Sequence, residues 1–167
     1  MEVKLVAVAF SGLLLTGCLS TMIDLSSSQN YQTKWQGQCL ISTQDIQLNK
    51  GRSADNSNKN FISSLNATSM PRSIKPRDTL KSGTKFGVTK IYDNYIHGLG
   101  GDWHLRVNAE ILDGPYKGLE VEMPGTYMAH PLPFFFTHRT QVISYTARAN
   151  LQPDSIIFNP EFLTTCP

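Results

Sequence analysis

From Trp103 to Ile111 the chain alternates without a break, with Trp103, Leu105, Val107, Ala109 and Ile111 at one parity and His104, Arg106, Asn108 and Glu110 at the other. A period of two predicts a β-strand with one face on a core and the other in water. Asp113-Gly114-Pro115-Tyr116-Lys117-Gly118 follows, and a turn is expected there because its glycines take positive φ freely and Pro115 fixes its own φ. Leu119, Val121 and Met123 then alternate with Glu120 and Glu122, the returning strand of an antiparallel pair. Lys81-Ser82-Gly83-Thr84 reads as an earlier turn that launches a strand over 85–92. A first strand is expected over 35–41 and a last one over 155–158. The polar passage 49–60 reads as a surface loop. Prolines at 131 and 133 interrupt pairing, and Phe134, Phe135 and Phe136 behind them are expected in the core. Residues 140–148 fit a strand or a short helix. Period two dominates and no long stretch carries a 3.6-residue repeat, so the expected class is mainly β.

Ahead of these elements the pattern changes. Lys4 precedes an apolar run from Leu5 to Leu15, shorter than the roughly 20 residues that span a bilayer, and small residues follow. This is the layout of an export signal peptide over 1–17. Leu15-Thr16-Gly17-Cys18 resembles the lipobox of bacterial lipoproteins, in which an aliphatic residue and two small ones precede the modified cysteine. The resemblance implies that the Cys18 thiol receives diacylglycerol and that cleavage leaves Cys18 as the new N-terminus. At about 0.8 kcal/mol per buried methylene, such an anchor is stable. Leu19 stands where an aspartate would retain an enteric-type lipoprotein at the inner membrane, so the resemblance implies a lipid-anchored protein of the cell envelope, at the outer membrane with its domain in the periplasm. The competing reading is a soluble secreted protein with a cysteine near its cleavage site. Residues 18–33, rich in Ser, Thr, Gln and Asn, are expected to form a lipidated flexible tether. Within it Met22, Ile23 and Leu25 have either the membrane surface or the domain to rest on. Residues 34–167 are expected to form a single β-rich globular domain.

The chain has three cysteines. With Cys18 taken by lipid, Cys39 and Cys166 remain as an even pair in an oxidising compartment, and a disulfide between them is expected. Neither has the nearby His or Cys partners that a metal site uses.

The hairpin from Ile111 through Asp113-Gly114-Pro115-Tyr116-Lys117-Gly118 to Glu120 resembles the KOW motif of ribosomal proteins and transcription elongation factors. The resemblance implies a small SH3-like antiparallel barrel, here with irregular loops, and an RNA-binding role for Lys117 and its neighbours. Glu120 and Glu122 beside the turn oppose a phosphate backbone, and the export signal takes the chain away from cytoplasmic RNA. The fold implication is kept, and no nucleic-acid partner is expected.

Candidate chemistry is sparse. Asp93, His97, Asp102 and His104 cluster around the glycine-rich stretch 98–101, where a metal or acid–base site would need His and carboxylate groups to converge. Their spacing matches no zinc signature and Gly98-Leu99-Gly100-Gly101 suits a hairpin tip, so no metal ligands are assigned. There is no Gly-x-Ser-x-Gly elbow, phosphate-cradling loop or His-Glu-x-x-His, so no catalytic residue, cofactor or enzymatic activity is expected. The net charge of +2 is unevenly placed: Arg72, Lys75, Arg77 and Lys81, followed by Lys85 and Lys90, meet a single acid, Asp78, over 71–90. A basic run can simply guard a sheet edge. It can also receive an anionic partner, and Arg72, Lys75, Arg77 and Lys81 are the candidate partner-binding residues. The expectation for function is a non-enzymatic component of an envelope or secretion assembly that binds another envelope protein. A periplasmic immunity or inhibitor protein and a peptidoglycan-binding module are the alternatives.

Overall fold

The computed structural model describes residues 20–52, 58–67, 74–96, 102–125, 135–138 and 156–167. These residues are mainly β. They hold β1 (Ser20–Asp24), α1 (Gln29–Lys34), β2 (Cys39–Ser42), β3 (Ile46–Arg52), β4 (Asn58–Ser64), β5 (Lys75–Leu80), β6 (Lys85–Ile96), β7 (Asp102–Ile111), β8 (Glu120–Met123), β9 (Phe136–His138), β10 (Ile156–Phe158) and β11 (Leu163–Thr165). A 3-10 turn, Gly114–Tyr116, joins β7 to β8.

Nine strands make one sheet in the order β11-β2-β6-β7-β8-β4-β3-β5, with β1 paired to β6 off that path. The sheet is open, running from β11 to β5, so the closed SH3-like barrel implied by the hairpin is not what these residues form. The hairpin itself follows its sequence. Gly118 N–H donates to the Ile111 carbonyl at 2.8 Å and Gly114 and Gly118 sit at φ +68° and +86°, the left-handed region that glycine enters without penalty. A parallel bridge between Phe61 and Glu122 is the junction of β4 with β8, while the other ladders are antiparallel.

Both edges of β6 are used. β7 runs along one, from Phe86↔Ile111 to Ile96↔Asp102. On the other, β2 pairs with residues 85–87 and β1 with 92–96. The chain leaves this edge after Leu25, whose N–H donates to the Ile91 carbonyl at 2.9 Å, and returns at Gly37, whose N–H donates to the Val88 carbonyl at 3.0 Å. Between the two departures lies α1, with Tyr31 and Trp35, one turn apart, buried against the core. The tether expected over 18–33 is therefore corrected from Ser20 onward: Ile23 and Leu25 pack on the domain, and the ordered part begins before residue 34. The first strand is shorter than the expected 35–41, because Trp35 closes the helix and Gly37 turns at φ +73° before Cys39.

One face of the sheet carries the main core. Leu40, Ile46, Leu48, Ile62, Phe86, Leu105, Val107, Ala109, Ile111, Val121 and Met123 are all at 1 % exposure or less and belong to one cluster. Burying side chains of this size stabilises by about 1.5–3 kcal/mol each relative to leaving them in water. The aromatic residues behind the prolines join it, as expected for Phe135 and Phe136; Phe134 lies outside the described residues, as do residues 140–148. Phe135 stacks on Phe162 at 4.6 Å, and Phe158 of the β9–β10 pair meets Trp35 edge-on at 5.3 Å. The opposite face differs from the expected wet one. Arg106, Asn108 and Glu122 alternate with the core residues yet are 4 %, 5 % and 2 % exposed. The passage expected as a loop over 49–60 is also corrected, since β3 continues to Arg52 and pairs in register with β4 from Asn58. Its apolar signal is thin because the second face there is built from Asn49, which donates to Ser63 Oγ at 3.0 Å, and from Phe61.

Cys39 and Cys166 form the expected disulfide, with Cα atoms 5.4 Å apart across 127 residues of sequence. It ties β2 to the segment just after its partner β11, where Cys166 N–H also donates to the Cys39 carbonyl at 3.1 Å. Closing a loop of that length removes about 5 kcal/mol of unfolded-chain entropy in the loop-closure description.

Candidate functional site

β5 ends the sheet, and its first four residues, Lys75-Pro76-Arg77-Asp78, are exposed. Proline is tolerated there because an outer strand need not donate to a further neighbour. Two features that are far apart in sequence meet at this edge. The guanidinium of Arg77 lies 5.1 Å from the ring centre of Tyr116, the aromatic residue of the Gly114-Pro115-Tyr116 turn. The Tyr116 hydroxyl donates to Asp78 Oδ2 at 2.6 Å, and Arg77 Nη1 donates to Asn60 Oδ1 at 3.4 Å. Stacking on one side and two hydrogen bonds on the other fix this corner without burying it. The Tyr116 hydroxyl and the Thr79 amide hold the Asp78 carboxyl below its ordinary pKa, and the same bond to Asp78 holds Tyr116 above its own.

The other members of the basic run are placed differently. Lys75 is exposed near the start of β5. Lys81 lies past its end and pairs with Asp45 at 2.9 Å, while Asp45 also accepts from the Ser82 amide at 2.8 Å. Arg72 lies outside the described residues. Of the three described candidates, Arg77 and Lys75 share the edge and Lys81, beside it, is paired with Asp45.

Next to the corner the sheet splays where β4 meets β8. A cleft of about 160 Å³ opens there, lined by Lys59, Asn60, Asn108, Glu120, Val121 and Glu122. Asn60 Nδ2 donates to the Glu120 carbonyl at 3.2 Å and Asn108 Nδ2 to Glu120 Oε1 at 2.8 Å, whereas Asn108 Oδ1 is buried with no hydrogen-bond partner. Glu122, on the cleft lining, is held in a buried salt bridge: Arg106 Nε donates to Glu122 Oε1 at 3.0 Å and Arg106 Nη2 to Glu122 Oε2, and Arg106 Nη1 reaches the Met22 sulfur at 3.0 Å. Glu122, expected as part of an acidic wet face, thus serves inside the protein, and Glu120 alone of the two presents charge outside.

Of the His and Asp cluster weighed from the sequence, the ladder gives register positions to three members. Asp93 is buried beside Leu105 in the ladder, Asn94 pairs with His104 one position on, and Asp102 pairs with Ile96. His97 lies outside the described residues. Among the described residues no group of three or more His, Cys, Asp or Glu side chains is placed to hold a metal ion. Tyr31 is a feature the sequence did not single out. Burial, and then the charge of Asp93, push its hydroxyl well above the usual tyrosine pKa. Its signal was the spacing of Tyr31 and Trp35 on one side of a short helix.

Comparison with protein-family models, with characterised proteins and with solved structures finds no match for this chain.

Proposed function

We propose that this chain is an exported bacterial envelope protein, anchored by lipid at Cys18, that works without catalysing a reaction. It binds another envelope protein as an accessory component of an envelope or secretion assembly, and it offers the Arg77–Tyr116 corner of the β5 edge to that partner. The observation that carries the reading is this corner. Arginine and tyrosine are enriched at protein interfaces, and here both are held in one geometry before any partner arrives, which lowers the ordering cost of association. The Cys39–Cys166 disulfide suits the oxidising side of a membrane, and the 1–17 leader with its lipobox supplies the route there.

The test is crosslinking in intact cells, detergent solubilisation and recovery of partners on the wild type, Arg77→Glu and Tyr116→Ala. Recovery of a protein partner by the wild type and its loss from both variants is expected. Unchanged recovery by the variants removes the corner from the interface, and recovery of the free monomer alone counts against the assembly. Palmitate should label the wild type and not Cys18→Ser; equal labelling removes the lipid anchor.

The cleft favours a second reading, a peptidoglycan-binding module. Its amide and carboxylate groups and its unpartnered Asn108 oxygen suit the hydroxyl and amide groups of a sugar–peptide ligand. Sedimentation with isolated cell wall, abolished by Asn108→Leu, separates it from the first.

A further inference from the structure

The stretch between the lipobox and the domain is short. Cys18-Leu19-Ser20 contains two peptide steps, and β1 begins at Ser20. Two residues span at most about 7 Å, whereas a flexible tether of about 15 residues would reach an r.m.s. distance of about 20 Å.

β1 is held firmly enough to matter. Its ladder runs from Ser20↔Ile96 to Asp24↔Tyr92 along β6. Ile23 packs on the core, and the Met22 sulfur accepts from Arg106 Nη1 at 3.0 Å. Just beyond, Leu25 N–H donates to the Ile91 carbonyl at 2.9 Å, and Ile91 N–H donates to Ser26 Oγ at 3.1 Å. Freeing the chain to act as a tether would break all of these together.

We infer that β1 acts as a clamp, holding the end of the β6–β7 hairpin against the phospholipid surface. The inference rests on the reading that Cys18 is lipidated. Ile96 is the ladder partner of Ser20, and Asp102 is the partner of Ile96. With neighbouring strands about 4.8 Å apart, Ile96 lies within about 12 Å of the lipidated residue. The headgroup layer on each side of a bilayer is about 5–7 Å thick, so the hairpin end is held in it or within about 7 Å of its outer edge. The sequence at these register positions suits that layer: Tyr95 pairs with Trp103 and with Thr21, next to Ile96. Tyrosine and tryptophan concentrate at the membrane–water boundary. The Arg77–Tyr116 corner lies at the opposite end of β7, in the turn after Ile111, and the nine residue steps from Asp102 to Ile111 span about 30 Å, which leaves the corner free of the surface that holds the lipid.

The test uses the full lipidated protein in phosphatidylcholine vesicles that contain a phospholipid with a shallow photoactivatable group. Adducts are expected on the tryptic peptide 91–106 and not on peptides covering β5. A second measurement needs no crosslinker: brominated phosphatidylcholine should quench the wild-type tryptophan fluorescence, and Trp103→Phe, which leaves the buried Trp35, should abolish the quenching. A Gly/Ser insertion of about a dozen residues after Leu19 should lower adduct yield several-fold while palmitate labelling stays the same. Labelled Cys18 with adducts no richer on 91–106 than on β5, or an insertion without effect, overturns the clamp and leaves the anchor standing. Absence of palmitate at Cys18 overturns both.

Discussion

Replacing Glu122 by leucine removes the carboxylate that accepts from both Arg106 Nε and Arg106 Nη2. The two residues are 2 % and 4 % exposed, so the guanidinium left behind cannot reach bulk water without displacing its neighbours. Breaking a buried pair from one side costs about 3–5 kcal/mol, a large part of the roughly 5–15 kcal/mol that holds a domain folded. With a urea dependence of about 2 kcal/mol per molar, the unfolding midpoint should fall by about 1.5–2.5 M. The assay is urea unfolding with the disulfide intact, followed by tryptophan fluorescence. Arg106→Leu combined with Glu122→Leu should recover most of the loss, because an apolar pair of similar volume avoids the stranded charge. A cost below about 1 kcal/mol for Glu122→Leu would show that Arg106 escapes to solvent, and a double variant as unstable as the single one would show that packing, rather than charge, sets the cost. Either result refutes the reasoning.

Other consequences are as direct. At Gly125 an added Cβ would run into the ring of the fully buried Phe136, so Gly125→Ala should cost about 1–3 kcal/mol in the same urea assay. Cys39→Ser with Cys166→Ser should lose up to about 5 kcal/mol, and non-reducing peptide mapping of the wild type should link the two cysteine peptides. Carboxyl resonances followed by NMR should place Asp78 below an ordinary aspartate, with Tyr116→Phe moving it upward. Because that pKa is depressed on folding, the contribution of the Tyr116–Asp78 bond is present above the unfolded value of about 3.9 and is lost as pH falls through the folded one. Lys81→Ala should change stability by less than about 1 kcal/mol, since its partner pair is exposed.

Much of the central sheet was legible because its residues obey a local rule. The alternation from Leu105 to Ile111, the glycine-pinned turn and the return through Val121 and Met123 each depend on neighbours in sequence, and the ladder reproduces them. Cys39 and Cys166 were legible by counting. What escaped has a non-local cause. Arg106 and Glu122 have the parity of exposed residues, and what covers them comes from distant chain: the Met22 side chain on Arg106 and the β4 bridge from Phe61 on Glu122. β3 and β4 were hidden because Asn49 and Ser63 satisfy each other inside the protein and so mimic a loop composition. Arg77 and Tyr116 were noticed separately, one as charge and one as turn, and since β4 and β3 stand between β8 and β5 in the sheet, their meeting is a side-chain contact that neither local pattern nor strand order announces.

The bridge between Phe61 and Glu122 divides the sheet into two unequal blocks, β5-β3-β4 and β8-β7-β6-β2-β11, the second also holding β1 on β6. The smaller block is a continuous run of chain from Ile46 to Leu80 whose ladders pair near neighbours, so its loop closures are cheap and it can form early. The larger block needs the last residues of the chain, because β11 completes it and Cys166 locks it. Amide protons along the seam should therefore exchange by a sub-global opening that separates the blocks, at a lower free energy than those inside either one. Under the proposed export, in which the chain is threaded across a membrane from its N-terminus, that division means one block can be in place while the other still waits for β11.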